Sequence, residues 1–124
     1  SVYDMQMSNL EAERGLQLSN ASLLGNLYFN YVKCGGNCSF AFSRYMGRVD
    51  MLQCEFNGDV TFERSYFYGK VRFNRSQFKN VVLLMDSRFF FEPELKEVIV
   101  NEPISIETIE SKTLKINPLK KIIW

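Results

Sequence analysis

The sequence predicts an all-β solenoid, a chain wound into stacked rungs, and three columns of residues at a common period carry the prediction. Gly25, Gly36, Gly47, Gly58, Gly69 and Asn80 recur every eleven residues. Leu18, Phe29, Phe40, Met51, Phe62, Phe73 and Leu84 keep the same period, as do Ala21, Val32, Ser43, Cys54, Ser65, Ser76 and Ser87. A fixed period of this kind marks a repeat architecture, in which each unit buries its apolar face only against its neighbours.

Within each period the residues alternate. Written in blocks of five and six, the middle reads SNASL, LGNLYF, NYVKC, GGNCSF, AFSRY, MGRVDM, LQCEF, NGDVTF, ERSYF, YGKVRF, NRSQF, KNVVLL and MDSRF. A bulky residue closes each block, with a small or β-branched one two positions earlier; Cys34 fills one bulky slot and Leu27 one of the smaller ones. That is the period-two pattern of a strand with one buried face. The Gly and Asn column is expected at corners with positive φ, a conformation other residues adopt at a cost.

Corners this close leave no room for a helix. Four short faces then make a rung of about 22 residues, stacked about 4.8 Å from the next. The rungs predict interior ladders: Leu18, Phe40, Phe62 and Leu84; Leu23, Tyr45, Phe67 and Phe89; with Phe29, Phe73 and Phe78 also inward. The pattern places a solenoid over residues 1–89, clearest over 16–89. Met5-Gln6-Met7 precedes Leu16-Gln17-Leu18 by eleven, so the first residues are expected to be strand, although Ser8 and Glu11 have the spacing of a helix capping box. Beyond residue 90 Gly vanishes and Pro93, Pro103 and Pro118 enter, although Val98-Ile99-Val100 keeps the register and Ile104 and Ile106 the alternation. Residues 90–124 are expected to form terminal rungs or a cap, because a solenoid end exposes unpaired strand edges.

The blocks NGDVTF, ERSYF, YGKVRF and NRSQF resemble the pentapeptide-repeat proteins, in the divergent branch with alternating five- and six-residue, Phe-centred units. The resemblance covers roughly residues 16–89. It implies a right-handed quadrilateral β-helix with the bulky central residues stacked inside. The A-D/N-L-x-x form of the core family is met only loosely. A leucine-rich repeat, suggested by Leu16-x-Leu18-Ser19-Asn20, fits less well, since each eleven-residue unit here carries two bulky positions. A shared fold does not transfer a function.

Chemistry is sparse. The chain has no His, which removes the commonest general base and the usual Ser and Cys triads. Three cysteines, Cys34, Cys38 and Cys54, are an odd number and give no disulfide framework, and three thiolates alone make a poor metal site. Asp50, Glu55, Asp59 and Glu63 fall on successive turns of the coil and so point apart, against a paired-carboxylate hydrolase. By register Glu55 stacks between Lys33 and Gln77, and Asp50 beneath Arg72. The glycines recur at a fixed period without a following Gly-Lys-Ser/Thr, so they form no phosphate loop. No enzyme activity, cofactor or metal is expected.

Binding remains. The net charge of +1, from 15 basic and 14 acidic side chains, favours neither nucleic-acid binding nor mimicry of DNA. No apolar run nears the roughly 20 residues that span a bilayer, and no leader peptide is visible. A topoisomerase-directed DNA mimic, as in fluoroquinolone-resistance members of the resembling family, would need an acidic row. The column Arg44, Tyr66, Arg88 is basic and aromatic instead, and suits a nucleic-acid or anionic-surface contact as an alternative. The main expectation is a non-catalytic scaffold that binds an unidentified protein. Its surface is expected to use Tyr28, Arg44, Tyr66, Tyr68, Arg72 and Arg88, since exposed aromatics and arginines commonly anchor interfaces; Tyr31 should also point outward. The apolar end, 119–124, is expected to close the rod or join two copies as a homodimer. Members of the resembling family occur in several compartments, and the bacterial cytoplasm is the expectation here.

Overall fold

The structure, a computed structural model, describes residues 4–100. Among the described residues it is all-β, with parallel strands stacked into about four turns. Every strand pairing joins residues 22 apart, as in Tyr45 on Phe67 and Phe67 on Phe89. Met5–Ala12 is strand and pairs with Leu27–Cys34, as the eleven-residue echo of Met5-Gln6-Met7 requires.

Four walls enclose the core. Leu27–Cys34 bends across two of them, pairing with Val49–Leu52 on one and with Glu55–Phe56 on the other. Those walls continue to Val71–Arg72 and to Gln77–Phe78, and the latter carries Ile99–Val100. The third wall stacks Leu16–Gln17, Cys38–Ser39, Val60–Thr61 and Val82–Leu83. The fourth stacks Ser22–Leu23, Arg44–Tyr45, Tyr66–Phe67 and Arg88–Phe89. The solenoid register therefore runs to residue 100, with Leu95, Val98 and Val100 in the core. Residues 101–124, including Ile104, Ile106 and the apolar end expected to join two copies, lie outside the described residues.

The predicted ladders form the core. Phe40 and Phe62 stack with ring centroids 5.1 Å apart, Tyr45 and Phe67 at 5.0 Å, Phe56 and Phe78 at 5.1 Å, and Phe67 and Phe89 at 4.6 Å. Phe29, Phe73 and Phe78 point inward and are buried, whereas Leu18, in the first complete rung, is only partly buried. Each buried Phe contributes about 2–3 kcal/mol relative to an exposed one.

The small column does more than fill space. Buried Ser65, Ser76 and Ser87 donate their hydroxyls to the carbonyls of Phe40, Met51 and Phe62 at 2.8, 2.7 and 2.6 Å. Ser65 Oγ and Ser76 Oγ also accept from the backbone N–H of Ser43 and Cys54, one rung away. Serine thus satisfies corner backbone groups that burial would otherwise strand at a cost of about 1–3 kcal/mol each.

The corners correct one expectation. Gly25, Gly36, Gly47, Gly58 and Gly69 and Asn80 do mark bends, but none of them has positive φ. The left-handed residues form a different column: Asn9, Asn20, Tyr31, Phe42, Gln53, Arg64, Arg75, Asp86 and Glu97, with φ of 51–60°. Glycine recurs for proximity instead. A Cβ on Gly58 would lie 2.7 Å from the Gly36 carbonyl oxygen and 2.5 Å from Asn37 Oδ1. At Gly58 the stacked corners leave room for a hydrogen and no more. The residue after the glycine then bridges rungs: Asn26 Oδ1 accepts from Arg48 N at 2.7 Å and Asn37 Oδ1 from Asp59 N at 2.8 Å.

Candidate interaction surface

Outward residues also stack in columns, so each wall presents a row of side chains at rung spacing. The fourth wall presents Ser22, Arg44, Tyr66 and Arg88 in one row, the basic and aromatic column expected from the sequence. Arg44 and Arg88 are exposed and Tyr66 is half-buried against Tyr68, their rings 6.2 Å apart. Tyr68 in turn stacks on Phe90 at 4.7 Å.

Tyr28 and Arg72 lie elsewhere. They belong to the row Tyr28, Asp50, Arg72 on the wall built by Leu27–Cys34 and Val49–Leu52, with Glu94 bridged next to Arg72. Arg72 is committed there. Its Nε donates to Asp50 Oδ1 at 2.9 Å and its terminal amine to Oδ2 at 2.7 Å, a bidentate pair over a carboxylate only 5% exposed. That hydrogen bonding, with burial acting against it, raises the guanidinium pKa further. The six residues expected to share one surface therefore divide between two walls, and the fourth wall keeps Arg44, Tyr66, Tyr68 and Arg88.

The adjoining wall is a charge ladder. Glu55 lies between Lys33 and Gln77 in register, with Lys79 Nζ at 2.8 Å and Lys33 Nζ at 3.6 Å. The Lys79 hydrogen bond, ahead of the lysine charges, holds the Glu55 carboxyl below its ordinary range. Tyr31 and Phe42 sit at left-handed corners with their side chains half exposed, and Arg64 lies over the Phe42 ring at 5.7 Å.

The reactive side chains are placed as structural parts. Cys34, Cys38 and Cys54 are free and buried, and burial pushes the Cys54 thiol up to about 11. Cys34 is held protonated by its contact with Cys38 and by burial. Asp59 and Glu63 line one groove with Thr61 between them, and each is occupied. Asp59 Oδ1 accepts from Val81 N, and Glu63 exchanges hydrogen bonds with Thr61. Among the described residues no three His, Cys, Asp or Glu side chains converge as metal ligands. An open groove of about 700 Å³ lies at the far end between Lys70, Arg72, Phe91 and Pro93.

Two features of the surface escaped the sequence reading. Leu24 and Met46, both exposed, continue the Tyr68–Phe90 stack into a four-residue apolar row, and Arg48 and Lys70 stand on its other side. Extending the 22-residue count from the row at 44, 66 and 88 to its neighbours finds both, since 24, 46, 68 and 90 share one position in the rung and 48 and 70 another.

Comparison with protein-family models, with curated proteins and with solved structures finds no match to this chain.

Proposed function

We propose that this domain is a non-catalytic interaction module of the pentapeptide-repeat type, and that its fourth wall receives a protein partner. The observation that carries the reading is the row of exposed Arg44 and Arg88 with half-buried Tyr66 between them, beside the stacked Tyr68 and Phe90. Fixed rung spacing holds these side chains in place before any partner arrives, which lowers the ordering cost of binding. Backbone groups in the walls are consumed by rung-to-rung hydrogen bonds, so recognition there must use side chains. Arg and Tyr are the types that most often dominate such contacts. A DNA mimic would need acids where this wall carries bases.

The test is cross-linked capture from the source lysate, comparing the parent with an Arg44/Tyr66/Arg88→Ala variant of unchanged circular dichroism. A protein lost only from the variant supports the module and locates its face. Nucleic acid lost instead favours the second reading, in which the arginines meet phosphates and Tyr66 stacks on a base. Identical captures from the two proteins count against both.

A further inference from the structure

The bases of this molecule are unevenly spent. Among the described residues Lys33, Arg64, Arg72, Arg75, Lys79 and Lys96 each lie in an ion pair. Of the described bases outside those pairs, Arg14 stands apart, and Arg44, Arg48, Lys70 and Arg88 gather on one strip. All four are exposed. Arg44 and Arg88 flank the apolar row on one side and Arg48 and Lys70 on the other.

The row between them is apolar and open. Leu24 is 55% exposed, Met46 43% and Phe90 56%, with Tyr68 stacked on Phe90. Backbone bonds from Met46 N to Leu23 O, Tyr68 N to Tyr45 O and Phe90 N to Phe67 O fix the four at successive rungs. Glu92 follows Lys70 by one rung and ends the Arg48–Lys70 side of the strip with an acid, next to the groove it lines with Lys70.

We infer that this strip docks an acidic amphipathic helix of a partner protein, laid along the rod axis. The inference rests on the interaction-module reading and names the partner's chemistry. Spacing selects the helix. Four rungs set about 14 Å between the first and last apolar side chains. Helical positions i, i+3, i+7 and i+10 span about 15 Å, whereas four same-face residues of an extended peptide span about 20 Å. Charge selects the acids. A helix whose apolar stripe sits on Leu24, Met46, Tyr68 and Phe90 presents its two flanks to Arg44 and Arg88 and to Arg48 and Lys70. Glu or Asp on both flanks meets cations that no ion pair within the described rod engages. A row in which only Tyr68 and Phe90 are aromatic, while Leu24 and Met46 offer no ring, suits such a helix better than a nucleic acid, whose successive bases stack on aromatic side chains.

The experiment is selection of a random helical-peptide display library on the parent protein, with a Met46→Glu/Phe90→Glu variant as the counter-target. Both substituted side chains are exposed, and circular dichroism and thermal melting check that the variant keeps the fold. Expected winners carry apolar residues at i, i+3, i+7 and i+10 with acids on both flanks, and become helical when bound. They bind the variant at least about tenfold more weakly and lose affinity as salt rises. Winners that are basic, or that bind in extended form while still depending on Met46 and Phe90, overturn the helix assignment and leave the interaction module standing. Winners indifferent to the variant remove the strip as a docking site, and the lysate capture above then decides the broader reading. A single-stranded oligonucleotide that displaces the selected peptide and binds the parent more tightly overturns both.

Discussion

Placing a methyl group on Gly58 tests why glycine recurs in this chain. Its Cβ would stand 2.5 Å from Asn37 Oδ1, 2.6 Å from the Gly36 carbonyl carbon and 2.7 Å from the carbonyl oxygen. Two of those atoms are backbone, so relief requires the rungs to part. Bringing the 2.7 Å approach to ordinary contact near 3.4 Å asks for about 0.7 Å of movement. The molecule already records a milder version. At Asn80, where the column carries a side chain, the bond from Val81 N to Asp59 Oδ1 is 3.4 Å, against 2.7 Å and 2.8 Å for its equivalents at Arg48 and Asp59. Overpacking costs about 1–3 kcal/mol, and losing the exposed Asp59 N–H bond about 0.5–1.5 more, so Gly58→Ala should cost about 1.5–4.5 kcal/mol. Urea unfolding followed by far-ultraviolet circular dichroism measures it through the midpoint and slope. Gly58→Asn separates the causes. If positive φ were the reason for glycine, Asn would be tolerated within a few tenths of a kcal/mol, because Asn adopts that conformation readily. Close stacking predicts that Asn costs nearly as much as Ala. A Gly58→Asn protein within about 0.5 kcal/mol of the parent would refute the stacking argument.

Phe62, fully buried and touching the rings of Phe40, Phe67 and Phe73, should cost about 3–5 kcal/mol as Phe62→Ala, and Leu18→Ala, at the half-buried end of the same ladder, clearly less. Paired melting curves check the ranking; equal losses would mean that the rungs are not stacked in this register. Arg72→Ala should destabilise more than Arg75→Ala, because it strands the buried Asp50 carboxylate, whereas the Arg75–Glu97 pair is exposed on both sides and worth about 0–1 kcal/mol. Stability should fall on the alkaline side. Burial raises Cys54 to about 11 from 9.0 and Tyr45 to about 12 from 10.0, so both favour folding below the lower values and withdraw that support as pH climbs through the higher ones. Urea midpoints between pH 8 and pH 11 test this, with a flat profile counting against it. The buried thiols should resist a disulfide reagent in the native protein and react at the unfolding rate, so rapid native labelling would contradict their placement.

The ladders were legible because their cause is local and repeated. A bulky residue every eleven positions has one efficient burial, and Phe40, Phe62, Tyr45 and Phe67 found it. The left-handed corners were hidden for the opposite reason. Their side chains face solvent, so Tyr31, Gln53, Arg64 and Glu97 carry no common chemistry, and the geometry is imposed by the ladders on either side. An L-residue there gives up about 1–2 kcal/mol that rung stacking offsets. Glycine was noticed for its recurrence and assigned the wrong cause, since close approach to a neighbouring rung leaves the same mark in a sequence as positive φ. For the surface, the Asp50–Arg72 and Lys33–Glu55 contacts could be anticipated by register. The division of the surface residues could be anticipated in the same way, since Tyr28 and Arg72 share one position in the 22-residue rung and Arg44, Tyr66 and Arg88 another.

The uniform separation of 22 residues between paired strands makes length a quantised property of this rod. Duplicating one 22-residue stretch would lengthen the axis by about 4.8 Å and return every later side chain to its own wall. Duplicating eleven would preserve the ladders just as well but carry everything downstream half a circuit round, setting Arg88 opposite Arg44. Insertions and deletions therefore act as a ratchet with two settings: one extends the ruler, and the other rewrites which patterns share a side.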